Sequence, residues 1–110
     1  MAFVAQAEAP PLREEADGAL RVGQTRVLLE LVIHAFQRGE SPETIVESYP
    51  SLALADVYSV IGYYLHHQET IAAYLQLRER QAEDVRRRLD AIQPDASGLR
   101  TRINARRRAE

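Results

Sequence analysis

The chain has 110 residues, is 45% hydrophobic, contains no cysteine and carries a net charge of −2. That length and apolar content fit one small globular domain. The missing cysteines exclude a disulfide framework and a thiolate metal site, and fit a reducing compartment. All 14 cationic side chains are arginine, and the absence of lysine excludes Schiff-base chemistry and a phosphate-loop lysine.

Met1 to Pro11 is alanine-rich and ends in two prolines, so residues 1–10 are expected to form a disordered arm. It holds no basic residue and only a brief apolar run, so no signal peptide is expected. No apolar run approaches the roughly 20 residues that cross a bilayer. From Pro11 to Val22 the sequence reads as two short strands around Asp17-Gly18. This dipeptide predicts a two-residue turn with both central residues at positive φ. A second turn at Gly23-Gln24 leads into Thr25-Arg26-Val27. Strands this short must pack on helices or pair with another chain.

Three helices follow. Leu29, Val32, Ile33 and Phe36 share one face of the first, and Gly39 supplies the left-handed residue that ends it. Ser41 is a good N-cap, with Pro42 at the first helical position. Tyr49-Pro50 stops this short second helix, because a residue before proline is pushed out of the α region. A third helix from about Leu54 is expected to face Val57, Ile61, Tyr64 and Leu65 inward. Its outward positions are Ala55, Asp56, Ser59, Gly62, Tyr63 and His66. Helix, tight turn, short helix, tight turn, helix is a helix-turn-helix layout.

A long helix is expected from about His67 to Ile92, its start packing on the core through Ile71, Tyr74 and Leu75. Ile71, Leu75, Ala82, Val85, Leu89 and Ile92 follow near-heptad spacing, with Arg78 in one seam position. This stripe is a dimer seam, a docking face for a partner, or a face folded onto the chain's own core. Residues 94–98 break the helix, and an arginine-rich tail reaches Glu110. The tail is expected to be poorly ordered alone and helical on a partner, with Leu99 and Ile103 as anchors. The fold class is therefore mainly α with a small N-terminal β-hairpin. A β-hairpin and helix-turn-helix domain spans 11–77, the long helix extends over 78–93, and the tail covers 94–110.

Charge divides unevenly. Residues 1–77 hold 4 Arg and 10 acids, giving −6, and residues 78–110 hold 10 Arg and 6 acids, giving +4. Such a split suggests two roles on one chain.

The order and spacing of several soft motifs resemble the domain-of-unknown-function 433 family. They are Gly23-Gln-Thr-Arg-Val27, Gly39-Glu-Ser-Pro-Glu-Thr-Ile-Val-Glu-Ser-Tyr-Pro50, Leu54-Ala-Asp-Val-Tyr58 and Gly62-Tyr-Tyr-Leu65. The likeness extends over about residues 11–77, with Gly23, Thr25, Arg26, Gly39, Ser41, Pro42, Tyr49, Pro50 and Tyr64 as its structural motif. Two positions depart from the family pattern: Gln24 stands for a second glycine, and Ala53 for a Ser or Thr cap. The resemblance implies a hairpin plus helix-turn-helix fold. It also implies a VapB-type antitoxin whose partner is a nuclease toxin of the PIN type.

Two functional surfaces follow. DNA readout would use Arg21, Arg26, Ser59, Tyr63 and His66, but Asp56 and the −6 of the core oppose phosphate. Toxin neutralisation would use Arg86, Arg87, Arg88, Leu99, Arg100, Arg102, Ile103, Arg106 and Arg107. A guanidinium from this set can pair bidentately with a nuclease's metal-binding carboxylates and displace the metal. The resulting expectation is a cytoplasmic type II antitoxin that forms a homodimer or higher oligomer and also binds its own promoter. The alternatives are a dimeric DNA-binding regulator without a toxin, or a structural adaptor. No enzyme activity and no cofactor are expected, since no nucleophile or phosphate-loop motif is present. No metal site is expected either. His66 and His67 point roughly 100° apart on a helix, and Glu69 alone does not complete a set with His66.

Overall fold

A computed structural model describes residues 3–92. Its elements are β1 (Leu12–Glu14), β2 (Leu20–Val22), α1 (Leu29–Gln37), α2 (Pro42–Ser48), α3 (Leu54–His66) and α4 (Gln68–Ile92). Residues 3–10 take no regular secondary structure. The chain falls into two compact units divided between Ala72 and Ala73.

In the N-terminal unit, β1 and β2 pair antiparallel with Arg13 opposite Arg21. The loop between them corrects the expected two-residue turn. Glu15 N–H donates to Ala19 O at 2.8 Å and Gly18 N–H to Glu15 O at 2.9 Å. Gly18 has φ +88°, while no residue other than glycine has positive φ among the described residues. This is a three-residue loop, a type I turn closed by a left-handed glycine. Asp17 turns the chain differently from the expected way: its Oδ1 accepts from Ala19 N–H at 3.1 Å. An isolated bridge from Arg21 to Leu28 adds a one-residue third pairing beside β2.

The helix breaks fall where the local chemistry demands them. Past α1, Glu40 N–H donates to Ala35 O and Gly39 N–H to Phe36 O, with Gly39 at φ +93°. That pair of bonds satisfies carbonyls the helix end would leave open, and only glycine adopts its bend freely. Ser41 caps α2 by accepting from Thr44 N–H, and Pro42 occupies the first turn. Ala53 opens α3 with no side-chain cap, which forgoes roughly 1 kcal/mol of helix stability. His67 leaves helical geometry at φ −133°, ψ 47° and separates α3 from α4.

The buried core comprises Ala19 and Val22 of the hairpin, Leu29, Val32, Ile33 and Ala35 of α1, Ile45 of α2, Leu52, Val57, Val60 and Ile61 around α3, and Ile71. Two α3 expectations are corrected. Leu65 is 51% exposed, and Val60, not anticipated as inward, is fully buried. A helix with Val57, Val60 and Ile61 inward centres its core face earlier than one drawn through Leu65. Tyr64 sits half-buried at the edge, its ring edge-on to Phe36 at 6.1 Å, and its hydroxyl accepts from Gln37 Nε2 at 3.2 Å.

The second unit, from Ala73, is described by itself. Among the described residues it contains the remainder of α4, on which Leu77, Val85, Leu89 and Ile92 are exposed. Among the described residues no helix is long and apolar enough to cross a membrane.

Candidate functional site

The turn at residues 23–26 is held by more side chains than its length requires. Thr25 Oγ1 donates to Val22 O at 2.7 Å and accepts from Val27 N–H at 3.1 Å. Arg13 donates to Gly23 O at 3.0 Å and to Thr25 O at 3.1 Å. Arg21 donates to Arg26 O and pairs with Glu15 at 3.3 Å. Like charges directly across a hairpin repel, and the Arg13–Arg21 pair is relieved by these carbonyls and by Glu15 between them. Arg13 was absent from the sequence-derived candidates. Its pairing with Arg21 exists only in the register of the three-residue loop. The expected two-residue Asp17-Gly18 turn sets Arg13 opposite Val22, which is why the sequence did not single it out.

These bonds bear on nucleic-acid contact. Arg21, a candidate phosphate ligand, is engaged by Glu15 and a backbone carbonyl. Arg38 is paired with Glu40 at 2.7 Å. Arg26 is exposed. On α3, Ser59 and His66 are exposed and Tyr63 is half-buried. Ser59, Gly62 and Tyr63 line an open cleft together with Glu8, Ala9 and Pro10. The Tyr63 ring lies 4.3 Å from the His67 ring, tilted by 36°. The structure thus brings Ser59 and Tyr63 together beside the N-terminal arm. The surface they share carries Glu8, and Asp56 lies by the Gly23 turn further along the helix. Both carboxylates repel phosphate.

A hydrogen bond between helices stands out by its electrostatics. Tyr58 Oη on α3 donates to Glu43 Oε1 on α2. That bond is the main cause holding the Glu43 carboxyl below its ordinary 4.5, helped by backbone and Ser41 hydrogen bonds and opposed by burial. The same bond, with burial and the Glu43 charge, pushes the Tyr58 phenol above 10. The Glu43 shift contributes stability above its ordinary pKa, lost as pH falls through the folded value. The Tyr58 shift contributes below pH 10, and that contribution is lost as pH rises. Replacing Tyr58 by Phe is expected to move the Glu43 titration back up toward 4.5, read by carboxyl NMR. An unmoved titration would assign the shift to the backbone instead.

On α4, Arg86, Arg87 and Arg88 are all exposed. Arg87 pairs with Glu83 one turn back at 3.5 Å. Leu99, Arg100, Arg102, Ile103, Arg106 and Arg107 lie outside the described residues. His34, His66 and His67 are exposed. Among the described residues no group of three His, Cys, Asp or Glu side chains is arranged to hold a metal ion.

Compared with known proteins, residues 14–64 match a family described as "Protein of unknown function (DUF433)". The match is narrower than the resemblance over 11–77, yet it contains every motif residue from Gly23 to Tyr64. No curated protein and no solved structure matches the chain.

Proposed function

We propose, from the match of residues 14–64 to the DUF433 family, that the chain is the antitoxin of a type II toxin–antitoxin module. Its basic C-terminal region binds and silences a PIN-like nuclease in the cytoplasm, and the chain has no enzymatic role of its own. The observation that carries this reading is on α4. An exposed apolar row, Val85, Leu89 and Ile92, shares α4 with three exposed arginines, Arg86, Arg87 and Arg88, in the second unit and outside residues 14–64. Amphipathic helices of this kind dock in grooves through anchors one turn apart. Arginine forks suit the clustered carboxylates by which such nucleases hold metal.

Promoter binding has weaker support. The exposed groups that favour it are Arg26, Ser59 and His66, whereas Glu8 and Asp56 border the α3 surface. A DNA-binding regulator would show an affinity falling steeply with salt.

The test is enzymatic. The chain is co-expressed with the product of the neighbouring gene, the complex is sized by light scattering, and metal-dependent nuclease activity is measured with and without the chain. Loss of activity at equimolar chain supports the reading. Unchanged activity in the presence of excess chain, with no complex formed, overturns it.

A further inference from the structure

The α4 row resolves into a geometry that selects its partner. At roughly 100° per residue, Val85, Leu89 and Ile92 form one narrow stripe. Arg86 and Arg88 fall within roughly 90° on either side of it, one along each border. Glu83, Asp84 and Asp90 all fall further round the helix, with Arg87 nearly opposite the stripe. The described ion pairs agree with this division. Arg87 is neutralised by Glu83 on the far surface, whereas Arg86 and Arg88 have no ion pair among the described residues. The result is an apolar stripe, 53% to 74% exposed at its three residues, with a cation along each border.

A second copy of the chain suits this stripe poorly. Pairing two helices about the stripe itself sets Arg86 and Arg88 against their counterparts. Extending the seam toward the N-terminus reaches Ala82, which leaves space, and then Arg78. Arg78 donates to Gln81 Oε1 at 2.9 Å, and a partner helix would have to desolvate its guanidinium. The uninterrupted apolar part is therefore the arginine-bordered part.

We infer that the α4 stripe Val85–Leu89–Ile92 docks into an apolar groove walled on both sides by carboxylates of a different protein, with Arg86 and Arg88 pairing the two walls and Arg87 left in solvent. This deepens the antitoxin reading by naming the partner surface and the two arginines that meet it. The docking chemistry holds whether or not that partner is a nuclease.

The probe is a synthetic heptad peptide with Leu at its seam positions and Glu at both flanking positions. Its counterpart carries Lys at those flanks. Binding to the full-length chain is read by fluorescence anisotropy. The acidic peptide is expected to bind, the basic one not, and binding is expected to weaken as salt rises. The R86E/R88E pair is expected to weaken acidic-peptide binding on the order of tenfold or more. R87E is expected to bind like the wild type. V85D is expected to abolish binding, with circular dichroism confirming that the chain stays folded. Equal binding of both peptides, or an R86E/R88E chain that binds as the wild type does, overturns the inference. So does a wild-type homodimer that V85D dissociates, because it would assign the stripe to a second copy. If the acidic peptide binds as expected while the neighbouring gene product is not silenced, the antitoxin reading fails and the docking inference stands.

Discussion

Replacing Ile33 by Ala is expected to destabilise the N-terminal unit by about 3 kcal/mol. Ile33 is fully buried on α1, the helix that packs against α2, α3 and β2. Removing its outer methyl groups leaves a void that three rigid elements must collapse to fill. The core is small, so few other side chains can compensate. A loss of about 3 kcal/mol is a large share of the roughly 5–15 kcal/mol that holds a domain folded, and it lowers the melting temperature by on the order of 15 °C. Urea unfolding followed by circular dichroism measures it. The control is Leu65→Ala at a position 51% exposed, expected to change stability by about 0.5 kcal/mol or less. Similar losses at both positions would show that α3 packs through Leu65 after all.

Gly23→Val is expected to cost about 2–3 kcal/mol, from two sources that can be separated. The first is conformational: Gly23 has φ +58°, where a β-branched side chain is strained. The second is steric, since a Cβ there would stand 2.8 Å from Asp56 Oδ2. The carboxylate is the far end of a side chain and can swing aside, so the conformational source dominates. Gly23→Val with Asp56→Ala should recover only the smaller, steric part. Full recovery by Asp56→Ala would reverse that ranking. Arg13 reads the same turn through the Gly23 and Thr25 carbonyls, so chemical shifts in the turn report whether the substitution has sprung it open.

Much of this fold was legible because its punctuation is local. Gly39, Ser41-Pro42 and Tyr49-Pro50 each act within a few residues of themselves, and each sits where its own backbone chemistry placed it. The misread positions depend on partners distant in sequence. Asp17-Gly18 favours a two-residue turn by itself. The longer loop wins because it brings Leu12 opposite Val22, turning the fully buried Val22 into the core. Leu65 and Val60 exchanged places because helical phase near the end of α3 is set by what α1 and the hairpin leave open. The candidate surface was visible only as composition. A run of three arginines reads as one basic block until a single uninterrupted helix, Gln68–Ile92, assigns each a different direction.

Arginine is the only basic residue in the chain, and none occurs between Arg38 and Arg78. An arginine-specific protease therefore finds no cleavable bond across α2, α3 and the first ten residues of α4, while Arg78, Arg80 and Arg86 to Arg88 offer several in succession further on. The division of α4 between two compact units gives this spacing a biological sense. Cutting there would detach the stripe and its arginines yet leave the buried core whole. The lifetime of the stripe would then be set by the trimming of one helix and not by the unfolding of the N-terminal unit.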